Sequence, residues 1–218
     1  MKILLINPNT SEETTRMMLS IAGKYAPAHW YITGITLSNS AAVINTPELL
    51  EDARQEILMR AAEREFEGFD AVIVAAFGDP GLDALRSSLA VPVVGIGESA
   101  IQAATAQGRP FAVVSITPQL SRSTAEQVVR EGGRSLFAGI YYTADNPIPH
   151  TPGVRPLSED IAIAANRALS GGNVSTLIIA GGPLASIADN LVLDVDCHIV
   201  QPLPCAIEKL QGLLQPGM

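Results

Sequence analysis

Two short apolar runs in this chain end in small residues and a Gly/Pro turn. They are Phe69-Asp70-Ala71-Val72-Ile73-Val74-Ala75-Ala76-Phe77-Gly78-Asp79-Pro80-Gly81-Leu82 and Ser175-Thr176-Leu177-Ile178-Ile179-Ala180-Gly181-Gly182-Pro183-Leu184-Ala185. Each is too short for a helix, and each has the form in which a buried parallel strand brings its backbone to a binding crevice. Asp79 is the ionisable group of these tips. It could take a proton or accept hydrogen bonds from a ligand N–H, or it could cap its own turn. Ala76 and Gly181 offer no side-chain chemistry.

Three further places carry polar groups suited to a site. Asn9, Thr10 and Ser11 follow the apolar run 3–6 at the start of a helix. Unpaired backbone N–H groups and the helix dipole there can hold a carboxylate or carbonyl oxygen. The Asn9 amide donates and accepts, which suits a ureide, an amide or a carboxylate, although an Asx turn that only caps the helix would use the same residue. Thr117, Ser121 and Ser123 repeat the arrangement with hydroxyls after the run 112–116. Glu98, behind Gly95-Ile96-Gly97, is either a capping carboxylate or a group that orients the site. Cys205, at the start of the last helix, would have a lowered thiol pKa if exposed to the helix dipole and would be inert if buried.

The elements that position these groups alternate. Strands are expected at 2–7, 31–37, 70–76, 92–96, 110–116, 136–142, 175–180 and 197–201, with helices between them. Thr10-Ser11-Glu12-Glu13 and Ser123-Thr124-Ala125-Glu126 read as capping boxes, and Thr46-Pro47-Glu48 opens a helix with proline in its first turn. Regular alternation of strand and helix implies parallel sheets with ligand loops at the carboxyl ends of the strands. The segment 145–155, with Pro147, Pro149, Pro152 and Gly153, reads as a loop over the cleft, from which His150 could reach the site. The chain also repeats itself: Ala76 and Gly181, Gly34 and Gly139, and Pro92 and Cys197 are each about 105 residues apart, in the same order along each half. The expectation is therefore α/β, with two pseudo-symmetric α/β domains and the site in the cleft between them. Residues 1–97 plus 203–218 form the first domain and 98–202 the second.

The composition narrows the function. At 218 residues the chain can bury two small cores, and a net charge of −8 argues against nucleic acid, whose binding needs clustered Lys and Arg. No apolar run is long enough for a membrane span and no leader is apparent, so a cytoplasmic protein is expected. Cys197 and Cys205 make a poor disulfide framework and half a metal site at best. No metal site, phosphate loop or dinucleotide fingerprint is visible, so no cofactor is expected. The expected partners are a small-molecule ligand and further copies of this chain in a homo-oligomer.

Four motifs in order, Ile6-Asn7-Pro8-Asn9-Thr10, Ala75 through Leu82, Val93-Val94-Gly95-Ile96-Gly97-Glu98 and the strand ending at Ala180-Gly181, carry a resemblance. Over nearly its whole length the chain resembles the aspartate/glutamate/hydantoin racemase superfamily, in its hydantoin and allantoin racemase branch. The resemblance implies two pseudo-symmetric domains and cofactor-independent chemistry in which two cysteines, one per domain, flank a chiral carbon and exchange its proton. Their positions fall on Ala76 and Gly181, and Gly182-Pro183-Leu184 also departs from the family's turn. Methyl and hydrogen side chains exchange no protons, so two-thiol racemisation at these positions is excluded. Substrate-binding roles are expected for Asn9, Thr10, Ser11, Ala76, Phe77, Gly78, Glu98, Thr117, Gly181, Gly182 and Pro183, with Asp79 as the candidate base. Three readings stay open: an isomerase for a small cyclic ureide or amino-acid-derived carboxylate, a ring-opening hydrolase or lyase in the same cleft, and a non-catalytic ligand-binding relative.

Overall fold

A computed structural model describes residues 1–143, 156–181, 184–188 and 191–215. The expected loop at 145–155, with His150, and the turn residues Gly182 and Pro183 lie outside the described residues. The order of elements is β1 (Lys2–Asn7), α1 (Glu12–Tyr25), β2 (Tyr31–Thr36), α2 (Pro47–Ala62), β3 (Ala71–Val74), α3 (Leu82–Ser88), β4 (Val93–Gly95), α4 (Ile96–Ala106), β5 (Phe111–Ser115), a 3₁₀ turn (Pro118–Leu120), α5 (Ser121–Arg130), β6 (Phe137–Tyr142), α6 (Leu157–Leu169), β7 (Thr176–Ala180), α7 (Ala185–Ala188), β8 (His198–Val200) and α8 (Pro202–Leu214).

The strands form two four-stranded sheets, in the orders β2-β1-β3-β4 and β6-β5-β7-β8, and every pairing is parallel. The second order is the first with each number raised by four, so the repeat seen in the sequence is a repeat of topology. In each sheet the chain reverses its direction of winding at the central pair, β1 with β3 and β5 with β7. Loops at the carboxyl ends of such a pair diverge to opposite faces and leave a crevice.

Burial on both faces explains why the central strands read as unbroken apolar runs. Ile3, Leu5 and Ile73 pack on one side of the first sheet with Met18 and Ile21 of α1 and with Leu203, Ala206, Ile207 and Leu210 of α8. Leu4, Ile6 and Val72 face the other way, toward Ile57, Leu82 and Leu85. In the second sheet Ala112, Val114 and Leu177 meet α6, whereas Phe111, Val113 and Ile178 meet Ala100, Ile101 and Ala104 of α4. The helix that follows the fourth strand of each sheet therefore covers the other sheet.

Two helix starts differ from expectation. Ser11, rather than Thr10, caps α1 by accepting from the Thr14 amide at 3.1 Å. The box expected at Ser123 does not form, because the 3₁₀ turn carries the chain into α5 early, at Ser121. Ser123 thus lies within the first turn and donates back to the Leu120 carbonyl at 3.0 Å. The Thr46-Pro47 start is as expected, with the Thr46 hydroxyl accepting from the Leu49 amide.

The seam between the halves depends on Gly97. A Cβ there would stand 1.8 Å from the Phe77 carbonyl oxygen and 2.6 Å from Gln127 Nε2. Neither backbone nor a buried amide can yield that far. Gly97→Ala is therefore expected to cost at least about 2 kcal/mol in urea unfolding. Gly23→Ala in α1, where nothing lies within 4 Å, should be neutral or gain up to about 1 kcal/mol. Equal unfolding midpoints for the two variants would contradict the close approach at Gly97.

Candidate functional site

The carboxyl ends of both central strand pairs converge on one cavity of about 90 Å³. The first half contributes Asn9 after β1, Val43 and Ile44 from the loop after β2, Leu50 of α2, and Ala75, Ala76, Phe77 and Gly78 after β3. The second contributes Ser115, Ile116 and Thr117 at the end of β5, Leu120, Ser123 and Thr124 at the start of α5, and Ala180 and Gly181 at the end of β7. The volume lies well below the roughly 300–1,000 Å³ of sites for drug-sized ligands. Ala76 and Gly181, from different sheets, line the same space.

The two sides differ in character. On the second half Ser115, Thr117, Ser123 and Thr124 bring hydroxyls. The first half is apolar except for Asn9, whose side-chain oxygen accepts from the Ser11 amide at 2.8 Å and from Asn7 Nδ2 at 2.9 Å. Asn9 is thus an Asx cap and a lining residue at once. With its oxygen engaged, its N–H₂ group is the end available to a ligand. Among the described residues, no lining side chain is ionisable.

Several expected site residues do not line the cavity. The Thr10 amide donates to the Ala41 carbonyl at 3.1 Å, and the Ser11 amide is held by Asn9. Neither N–H is free for a ligand oxygen, because one is taken by the loop after β2 and the other by the Asx turn. Asp79 is buried, and its oxygens accept from the Gly97 amide at 2.9 Å, the Glu98 amide at 2.6 Å and Gln127 Nε2 at 2.8 Å. Burial pushes its carboxyl well above the usual range, opposed by the Gly97 and Glu98 amides and reinforced by the charges of Glu98 and Glu131. A raised carboxyl pKa often marks a catalytic group. Here both oxygens are engaged at the N-terminus of α4, and Asp79 is absent from the cavity lining. Its φ of +47° places it in the left-handed region, which Asp tolerates better than most residues when its side chain is fixed locally.

Glu98 is also buried and absent from the lining. It pairs with the Arg86 guanidinium, including a 2.9 Å contact to Nη1, and with Lys209 Nζ at 2.7 Å. Cys205 departs from the lowered pKa considered for it. Burial, with a smaller contribution from Glu208, pushes its thiol up to about 11. Sequence reading missed Val43, Ile44, Leu50, Ser115, Leu120 and Thr124. The signal available was the apolar run Ala41-Ala42-Val43-Ile44 between the polar stretches Ser38-Asn39-Ser40 and Asn45-Thr46.

No helix among the described residues is long and apolar enough to cross a membrane. Residues 3–210 match the family described as Asp/Glu/Hydantoin racemase. The chain is 27% identical over 225 residues to a hydantoin racemase of Paenarthrobacter aurescens, covering 100% of this chain and 92% of that protein. It is 29% identical over 228 residues to a hydantoin racemase of Rhizobium meliloti, covering 100% and 90%. The solved structure of an allantoin racemase from Klebsiella pneumoniae superimposes with a TM-score of 0.87 at 24% identity, over 98% of this chain and 87% of that one.

The Glu98 cluster gives a pH prediction. Burial alone would raise its carboxyl, but Arg86 and Lys209 outweigh burial and hold it below its ordinary value. A carboxyl depressed in the folded state stabilises fully above its unfolded pKa of about 4.3 and loses that contribution as pH falls through the folded value. Because Arg86 is partly exposed, Glu98→Gln should cost about 1–3 kcal/mol at pH 7, less than a fully buried pair. Its stability should then fall less steeply than the parent's below about pH 4.3. Urea titrations at stepped pH would check this, and parallel acid losses would contradict it.

Proposed function

Because the chain belongs to the Asp/Glu/hydantoin racemase family, we propose that its cleft binds a small cyclic ureide or an amino-acid-derived carboxylate without a two-thiol proton-transfer pair. The observation that carries this reading is the cavity itself. Ala76 and Gly181 end equivalent strands of the two sheets and line one space with Asn9, Ser115 and Thr117. These are the positions at which the family resemblance puts its two cysteines. Asn9 would donate to a ligand oxygen. The hydroxyls of Ser115, Thr117, Ser123 and Thr124, which donate or accept, suit the alternating carbonyl and N–H groups of a ureide ring. Val43, Ile44 and Leu50 exclude water from the opposite side.

The backbone at Gly181 supports the same reading. Its φ of +139° is a conformation that side-chain-bearing residues rarely adopt. The wall is therefore shaped for glycine and not merely stripped of a thiol. A racemase-lineage protein of this build keeps the ligand cradle and, among the described residues, has no ionisable acid or base in its lining. The second reading, a non-catalytic ligand-binding relative, is favoured by the absence of any ionisable side chain among the described lining residues. Both exclude two-thiol proton transfer, and they differ in whether the bound ligand is chemically changed at all.

The unmodified protein is expected to bind 5-methylhydantoin or allantoin by calorimetry and to incorporate no solvent deuterium at the stereocentre, because no described lining residue is a base. Rapid exchange would overturn the loss of two-sided proton transfer. If that exchange vanished in Asp79→Asn, it would make Asp79 the base. Asn9→Ala should weaken binding by about 1–3 kcal/mol by leaving a buried ligand oxygen unpaired. Unchanged affinity would reduce Asn9 to a cap. Gly181→Cys should destabilise the fold by about 1–3 kcal/mol through its backbone alone, whereas Ala76→Cys should not.

A further inference from the structure

The backbone passes between the halves twice, ahead of α4 and ahead of α8, and these helices pack against each other. On the cavity side the halves meet through side chains. Gln127 of α5 is buried, with 2% of its surface exposed, and its Nε2 donates to the Phe77 carbonyl at 2.9 Å and to Asp79 Oδ2 at 2.8 Å. Among the described residues, both hydrogen bonds that α5 sends to the first half come from this one amide. The same helix carries Ser123 and Thr124 of the polar wall, and Phe77 belongs to the apolar wall.

We infer that Gln127 is a positioning residue, a latch that holds the α5 wall of the cavity at a fixed separation from the Phe77–Gly78 turn opposite. Its geometry suits the task. One N–H₂ group satisfies two acceptors that belong to the same turn, one a backbone carbonyl and one a carboxylate oxygen. The Asp79 carboxylate is also held by the Gly97 and Glu98 amides at the start of α4, so α4 and α5, which share one core, grip the same turn from two directions. Without the latch, rotation about the two backbone crossings is still opposed by the packing of α4 on α8, by the Asp79 contacts to α4 and by the pairing of Glu98 with Arg86 and Lys209, but among the described residues no other hydrogen bond ties α5 itself to the first half. A cavity this small tolerates little such rotation, because a shift of about 1 Å in a positioned group is enough to cost substantial function.

The ligand-binding part of this inference rests on the function proposed above, and the distance part does not. Spin labels at Asp52→Cys on α2 and Ile163→Cys on α6, in a Cys197→Ser, Cys205→Ala background, report the separation of the halves by pulsed dipolar spectroscopy. The latched protein should give one narrow distance distribution, and Gln127→Leu should broaden it toward longer distances. With 5-methylhydantoin as the probe, the same variant should bind about tenfold more weakly for want of a preorganised site. Gln127→Asn keeps the amide but shortens its reach and should behave in the same direction, so the test stands if the leucine variant does not fold. A lowered melting temperature with unchanged distances and affinity below the transition would overturn the latch and leave Gln127 a stability residue. Broadened distances in a protein whose parent binds neither 5-methylhydantoin nor allantoin would support the latch and contradict the proposed ligand class.

Discussion

The Asp79 carboxylate at the N-terminus of α4 is the contact on which the rest of the arrangement depends. A helix that begins at Ile96 with glycine as its cap residue has no cap side chain for the Gly97 and Glu98 amides, and its own Glu98 reaches back only to the Gly95 amide at 3.3 Å. Unsatisfied N–H groups at a buried helix start are costly. Asp79 meets that need from another loop, and its negative charge is favourable at the positive end of the helix dipole. The left-handed backbone at Asp79 and the absence of a side chain at Gly95 accompany this one contact. A Cβ at Gly95 would stand 2.2 Å from the Asp79 carboxyl carbon. The turn from Ala75 to Gly78 inherits its shape from the anchored residue that follows it.

Much of this was legible in the sequence, for a physical reason. Parallel strands buried on both faces must be apolar without interruption, so runs such as Ala71–Val74 and Thr176–Ala180 announce themselves. All eight strands lie within about two residues of the expected bounds. The repeat of about 105 residues proved to be a repeated sheet order. What the sequence hid were the tertiary choices. Whether Asp79 faces the cleft or a helix start depends on where α4 begins relative to β3. Whether Thr10 offers its N–H to a ligand depends on the Ala41 carbonyl, which arrives from another loop. The side of the cavity formed by Val43, Ile44 and Leu50 comes from connections that no strand-end motif flags.

The electrostatic character of the cavity follows from this division of labour. Asp79 is committed to α4 and Glu98 to Arg86 and Lys209, and neither lines the cavity. The lining is left with dipoles, an amide and hydroxyls. Dipoles fixed by a surrounding hydrogen-bond network recognise shape and the alternation of donors and acceptors more than they recognise net charge.

The reciprocal placement of α4 and α8 has a consequence for how the chain can be divided. The helix that follows the first sheet completes the second core through Ala100, Ile101 and Ala104, and the last helix returns to complete the first through Leu203, Ala206 and Ile207. Neither half-length segment encodes its own complete core. A fragment ending after β4 would expose the sheet face that α8 covers, and one beginning at β5 would lack the cover supplied by α4. The two repeated halves are thus interlocked. The two halves share one folding cooperativity, and the C-terminal helix is as much a founding element of the first sheet as the strand with which the protein begins.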